Sequence, residues 1–171
     1  MKQLRGRDVK KYFKHHPGRN KEIVLVLENI QYARNVANLF RTAESAGVSK
    51  IILTGISKQP PFGNDLVKVS RGAEKKVPHV YCNDTVEYLQ EINKQGFIII
   101  AIELTDESIL VEQLKDRLYK LDKVCFIVGN EDSGVNRRTL ELCDLAVMVP
   151  MYGKNASLNV TVSAGVILFS F

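Results

Sequence analysis

Two loops in the last third of the chain hold residues suited to chemistry on a bound ligand. The first is Gly129-Asn130-Glu131-Asp132-Ser133-Gly134, directly after the apolar run 124–128 (VCFIV). The second is Pro150-Met151-Tyr152-Gly153-Lys154-Asn155-Ala156-Ser157-Leu158-Asn159, after 145–149 (LAVMV). Glycine lets a backbone approach a ligand closely, and Asn and Ser donate and accept hydrogen bonds without charge. Ligands of open α/β sheets sit outside the carboxyl ends of the strands, where both loops fall. On composition alone, two tight turns fit equally well. A third stretch, 31–47 (QYARNVANLFRTAESAG), puts Asn35, Asn38, Thr42 and Ser45 on the polar side of a helix, beside Arg34 and Arg41. By itself Arg41 reads as a surface partner of Glu44.

Other chemistries find little support. No G-x-G-x-x-G is present, so nothing points to a dinucleotide enzyme. Ser133 stands in E-D-S-G rather than G-x-S-x-G, with no histidine near it in sequence, which argues against a serine hydrolase. Cys82, Cys125 and Cys143 form no C-x-x-C pair, and His15, His16 and His79 are scattered from them. No metal site is expected, and the odd, unpaired cysteines suit a reducing, cytoplasmic compartment.

The elements that must hold these loops are legible from apolar patterning. Runs at 22–27 (EIVLVL), 50–54 (KIILT), 97–104 (FIIIAIEL), 124–128 and 145–149 read as buried strands of a parallel sheet. Residues 77–82 make a further strand, placed at an edge by Pro78. Helices are predicted at 7–15, ending at His16-Pro17-Gly18, and at 31–47, closed by Gly47. Others fall at 65–73, at 84–95 with Asp84 or Thr85 as cap, at about 136–143, and at 158–171. The last is nearly all apolar and must be buried in the domain or a partner. Residues 107–122 read as irregular with a helical turn. Alternation of strands and helices defines an α/β fold, a mostly parallel sheet flanked by helices.

The chain has 171 residues, 45% hydrophobic and 25% charged, as for one soluble domain. No apolar run reaches the ~20 residues of a membrane helix, and neither a membrane partner nor a secretory leader is expected. Of the net charge of +5, residues 1–22 contribute +6, eight Lys or Arg against Asp8 and Glu22, leaving −1 elsewhere. Residues 1–21 therefore read as a basic arm and 22–171 as the folded domain. Such asymmetry suits an anionic polymer such as RNA. Arg5, Arg7, Lys10 and Lys11 of the arm, with a second patch at Arg71, Lys75 and Lys76, are the candidate phosphate contacts.

Three stretches, in order, resemble the SpoU (TrmH) branch of the SPOUT methyltransferases. Asn35-Val36-Ala37-Asn38-Leu39-Phe40-Arg41-Thr42-Ala43 is similar to that family's N-x-G-x-x-x-R-T-A, with Ala37 for Gly. Ile127-Val128-Gly129-Asn130-Glu131-Asp132-Ser133-Gly134 resembles its G-x-E-x-x-G motif. Val149-Pro150-Met151-Tyr152-Gly153 with Ser157-Leu158-Asn159-Val160 resembles I-P-M-x-G followed by S-L-N-V-S, with Thr161 for the last Ser. The likeness covers residues 22–171.

The resemblance implies a deep trefoil knot in the C-terminal third, S-adenosylmethionine bound in the knot loops, and a homodimer with a shared active site. It implies methylation of a ribose 2′-hydroxyl in tRNA or rRNA, tRNA being favoured here by the lack of a separate RNA-binding domain. The other readings are a catalytically silent RNA-binding module on the same fold and an unrelated nucleotide-binding α/β protein. Arg41 matches the family's motif arginine, which acts on the hydroxyl either as a base or as a cation that binds phosphate and steadies the alkoxide. Asn35 and Asn159 match positions that orient Arg41 or the ribose, and Glu131 suits a bidentate pair with a guanidinium. Ser157 matches the third motif. Asn35 and Ser157 also suit helix caps. Gly129, Val149 and Leu158, with Leu104, match positions that hold the methyl donor.

Overall fold

Burial with a period of two sorts the central strands between two helical layers. The computed structural model describes residues 3–13 and 19–171. In chain order these form α1 (Arg7–Phe13), β1 (Glu22–Glu28), α2 (Ala33–Ala46), β2 (Lys50–Thr54), α3 (Asn64–Ser70), a 3-10 turn (Ala73–Lys75), β3 (His79–Cys82) and α4 (Thr85–Lys94). There follow β4 (Ile98–Ile102), β5 (Ile109–Leu110), α5 (Val111–Leu118), β6 (Lys123–Val128), α6 (Arg137–Leu140), β7 (Leu145–Met148) and α7 (Val160–Leu168). The expected break at His16-Pro17-Gly18, and the end of the helix predicted over 7–15, lie outside the described residues.

The strands form one seven-stranded sheet in the order β3-β2-β1-β6-β4-β7-β5. Every pairing is parallel. Ile23, Leu25 and Leu27 of β1, with Val124, Phe126 and Val128 of β6, join the core shared with α2, α5 and α7. Val24, Val26, Cys125 and Ile127 point the other way, toward Leu89 and Ile92 of α4. Burial on both faces explains why these strands are unbroken apolar runs. Each fully buried Leu, Ile or Phe contributes about 1.5–3 kcal/mol. Phe40 of α2 is one of them, and it meets Phe62 and His79 edge-to-face at 5.5 and 5.2 Å.

Residues 107–122 are not irregular. Ile109 and Leu110 pair with Val147 and Met148, and α5 buries Val111, Leu114 and Leu118. The predicted helix over 65–73 is interrupted. Arg71 and Gly72 take left-handed φ of 53° and 73°, which end α3 before the 3-10 turn. The last helix starts at Val160, because Asn159 rather than Ser157 caps it, its side chain accepting from Thr161 N at 2.9 Å. That helix is only half buried: Ala164, Ile167 and Leu168 face the core, while Val162, Val166 and Phe169 are exposed. β3 stands at the sheet edge, Asp84 caps α4, and Gly47 ends α2 at φ 73°, as their sequences suggested.

Along the chain β1, β2 and β3 step outward in one direction, whereas β4 lies on the other side of β1. The order reverses at this point, and β6 fills the gap. The loop after β6 therefore opens at the switch point, the place where such sheets bind ligands.

Candidate active site

The loop after β6 is held shut by its own backbone and by carboxylates from neighbouring strands. Asn130 and Gly134 exchange backbone hydrogen bonds of 3.0 and 2.8 Å. A Cβ on Gly129 would come within 2.2 Å of the Gly134 carbonyl carbon, so only glycine permits this closure. Asn130 Oδ1 accepts from the amides of Asp132 and Ser133, and its Nδ2 donates to Asn29 O at 2.8 Å. Glu103, just beyond β4, accepts from Val135 N at 2.9 Å. Glu28, buried at the end of β1, accepts from Asn136 N at 2.9 Å and Thr139 Oγ1 at 2.6 Å. No sequence motif singles out Glu28 and Glu103 as site-shaping groups. The available signal was an acid closing an apolar strand, a position where burial demands partners.

Glu131 performs the third such task, and its geometry differs from the expected guanidinium pair. Its Oε2 accepts from Gln31 N at 2.8 Å. Its Oε1 accepts from Asn35 Nδ2 at 2.7 Å and Tyr32 N at 3.3 Å. Tyr32, the N-cap residue of α2, makes no capping bond with its own side chain. Glu131 thus serves as the cap of α2 from another part of the chain, with its negative charge at the positive end of the helix. Burial alone would raise its carboxyl pKa. The hydrogen bonds from Asn35 and the backbone of Gln31 and Tyr32 outweigh that, and the net shift is downward.

The relay continues to the third motif. Asn159 Nδ2 donates to Asn35 Oδ1 at 3.4 Å, while Asn159 Oδ1 accepts from Thr161 Oγ1 at 2.6 Å. Glu131, Asn35, Asn159 and Thr161 therefore form one hydrogen-bonded chain across three segments. Asn35 lies inside the first turn of α2 and is not its cap.

Arg41 stands apart from that chain but shares a neighbour with it. A groove of ≈ 420 Å³ runs between α2 and α7, lined by Asn38, Arg41, Thr42, Ser45, Thr161, Gly165 and Phe169. Thr161 closes one end of the relay and also lines the groove. The expected Arg41–Glu44 pair is not formed: Glu44 binds Lys76 at 2.8 Å. Arg41 is exposed and makes no ion pair among the described residues. Ser157 is exposed and joins neither arrangement.

Register places the residues expected to hold a methyl donor at the ends of three adjacent strands. Ala101 of β4 is opposite Ile127 of β6, and Ile102 is opposite Val147 of β7. Gly129, Leu104 and Val149 each follow within two residues of those pairs. Leu104 is 64% exposed and Leu158 40% exposed, an apolar surface left open at the sheet's carboxyl edge. The thiols are unsuited to nucleophilic work, since burial pushes Cys143 up to about 12 and Cys125 higher still.

The basic residues form two separate exposed sets. Arg5, Arg7 and Lys11 are exposed on and before α1, and the side chain of Lys10 lies outside the described residues. Arg71 and Lys75 are exposed after α3, whereas Lys76 is engaged with Glu44.

Residues 22–169 match the family model described as the SpoU rRNA Methylase family. The 23S rRNA (guanosine-2'-O-)-methyltransferase RlmB of Neisseria meningitidis is 32% identical over 146 residues, covering 85% of this chain and 56% of that protein. The chain thus spans a little over half the length of such curated relatives. Among solved structures, the A. aeolicus TrmH/SpoU tRNA modifying enzyme superposes with a TM-score of 0.77 at 28% identity, over 88% of this chain and 73% of that one. An AdoMet-bound rRNA methyltransferase from Sinorhizobium meliloti gives 0.78 at 26%, over 87% and 55%.

Proposed function

This chain belongs to the SpoU rRNA methylase family, and from that premise we propose that it transfers a methyl group from S-adenosylmethionine to a ribose 2′-hydroxyl of RNA. The observation that carries the reading is the relay Glu131–Asn35–Asn159–Thr161, which joins three separate motif stretches at the carboxyl edge of the sheet.

The residues present fit the donor. Gly129, Leu104, Val149 and Leu158 offer backbone groups beside exposed apolar side chains, the combination an adenine requires. When bound, the donor supplies an electrophilic methyl group on sulfur. The chain's own work is to bring a 2′-hydroxyl in line, so that its oxygen takes the methyl from the sulfonium as its proton passes to solvent water. Arg41, exposed and without an ion pair among the described residues, acts by holding a phosphate and steadying the alkoxide as its charge develops. Asn35 and Asn159 orient the ribose, and Glu131 fixes Asn35. Ser157, exposed in the third motif, meets the RNA or the donor when either is bound.

RNA is held by Arg5, Arg7, Lys10 and Lys11 of a basic arm, residues 1–21, and by Arg71, Lys75 and Lys76 on the methyltransferase domain, 22–171. Ribosomal RNA is favoured over transfer RNA by the names of the sequence relatives. The chain spans only part of those relatives, so the extent of this sequence does not favour transfer RNA. A trefoil knot in the C-terminal third is supported by strand order: β6 and β7, formed last, each lie between strands formed earlier. A homodimer is supported by Val162 and Val166 on α7 and Phe169 directly after it, apolar and exposed beside the Arg41 groove. A cytoplasmic location agrees with three free cysteines.

The test is transfer of labelled methyl from S-adenosylmethionine to unmodified 23S rRNA and tRNA transcripts. Label in either RNA supports the reading and selects the substrate class. Binding of RNA without transfer to any transcript supports the silent module instead.

A further inference from the structure

Tyr32 occupies a position its residue type does not explain. It is the N-cap of α2, where Ser, Thr, Asp or Asn would serve the helix, and its side chain makes no capping bond. Glu131 instead accepts from the amides of Gln31 and Tyr32 itself, the two residues that lead into the helix. The ring contributes little to the core, being 53% exposed. Its phenol makes no hydrogen bond among the described residues. What remains is an aromatic surface on a rigid mount: the backbone on which it stands is bonded to the same carboxylate that holds Asn35 at 2.7 Å.

We propose that Tyr32 is the stacking platform for the base of the nucleotide whose ribose is methylated. This rests on the functional reading above. Tyr32 stands at the N-cap of α2, three residues before Asn35, so a base that leaves its stack beside a ribose held by Asn35 and Asn159 meets the ring as the aromatic surface next to it in sequence. Aromatic side chains receive such unstacked bases, and the interaction tolerates any base. Because Glu131 has already ordered the mount, little further entropy is lost when the base docks. Arg34, exposed two residues on, supplies a cation for the adjoining phosphate.

The chain has no tryptophan, so Tyr32→Trp creates a sole reporter. Tyr119→Trp is its control, on an exposed residue at the end of α5 and hence at the opposite, amino edge of the sheet. With an unmodified 23S rRNA transcript as probe, stacking predicts quenching of the reporter at position 32 and not at 119. In methyl transfer, Tyr32→Phe should match wild type, and Tyr32→Ala should raise KM for RNA about tenfold, the size of a lost base–aromatic stack. Donor affinity and solution mass should stay unchanged. Equal KM in Tyr32→Ala and wild type, or bound RNA without quenching at 32, overturns the proposal. So does loss of a dimer in Tyr32→Ala, which would make the ring an interface residue. Wild type that transfers no methyl overturns the functional reading instead, and the fluorescence arm still decides the stacking by itself.

Discussion

Asn35 Nδ2 donates to Glu131 Oε1 at 2.7 Å across 96 positions of sequence. That bond ties the first turn of α2 to the loop after β6, and the relay to Asn159 passes through it. Glu131→Ala should therefore remove both a helix cap and the anchor of Asn35. We expect a loss of about 1 kcal/mol in urea unfolding, the usual worth of a cap, together with a larger fall in kcat than in donor affinity. An unchanged kcat would sever the cap from the chemistry.

The same carboxylate makes a pH prediction. Hydrogen bonding lowers its folded pKa below that of an unfolded Glu, despite the opposing effect of burial. Its contribution to stability is then fully present above the unfolded pKa of about 4.3 and is lost as pH falls through the folded value. The stability gap between wild type and Glu131→Gln should be widest at neutral pH and should shrink below pH ~4. Urea melts across that range read it directly, and a constant gap would contradict the assignment.

Asn35 and Asn159 touch through side-chain amides at 3.4 Å. Alanine at either should lower kcat, and the double variant should fall short of the summed effects by about 0.5 kcal/mol or more, as for groups in one network. Strict additivity would mean that the two act separately.

Gly129 and Gly134 close the loop where side chains cannot follow. Gly129→Ala would drive a Cβ into the backbone of Gly134 and Val135, and Gly134→Ala would meet Glu103 at a φ of 69°. Each should cost about 2 kcal/mol or more of stability and weaken S-adenosylmethionine binding measured by calorimetry. Wild-type affinity in both would place the donor elsewhere.

Of the second basic patch, Lys76 already pairs with Glu44 at 2.8 Å, whereas Arg71 and Lys75 face solvent and make no ion pair among the described residues. Replacing Arg71 or Lys75 with Ala should each reduce the slope of log affinity for RNA against log salt by about 0.7–0.9. Lys76→Ala should change it less. Equal effects at all three would show that the Glu44 pair opens on binding.

The strands were legible because burial on both faces writes an unbroken apolar run, as at Ile23–Leu27. Gly47 and Asp84 announced helix ends through local geometry that each residue type favours. The strand and helix within 107–122 are not legible in the sequence, for a physical reason. α5 starts from Leu110, which is no capping residue, and β5 is two residues long and exists only through its pairing with β7. The motif residues Asn35, Glu131 and Asn159 were found by resemblance, but their mutual bonds were not. They join positions 96 and 124 apart, and no local pattern encodes such a contact. The same holds for Glu131, expected to grip a guanidinium and found instead capping a helix. Arg41 likewise has Glu44 three residues on as its local partner in sequence, yet Glu44 binds Lys76, 32 residues further along.

The central claim is methylation of a ribose hydroxyl that depends on Arg41. The most direct measurement compares wild type with Arg41→Ala, using labelled S-adenosylmethionine and unmodified RNA, followed by alkaline hydrolysis. A 2′-O-methyl blocks cleavage at its own phosphodiester, so label should be recovered in alkali-resistant dinucleotides with wild type. It should be almost absent with Arg41→Ala, while donor binding persists. Label in single nucleotides would mean a base is methylated, and equal transfer by both proteins would remove Arg41 from the chemistry; either result contradicts the account.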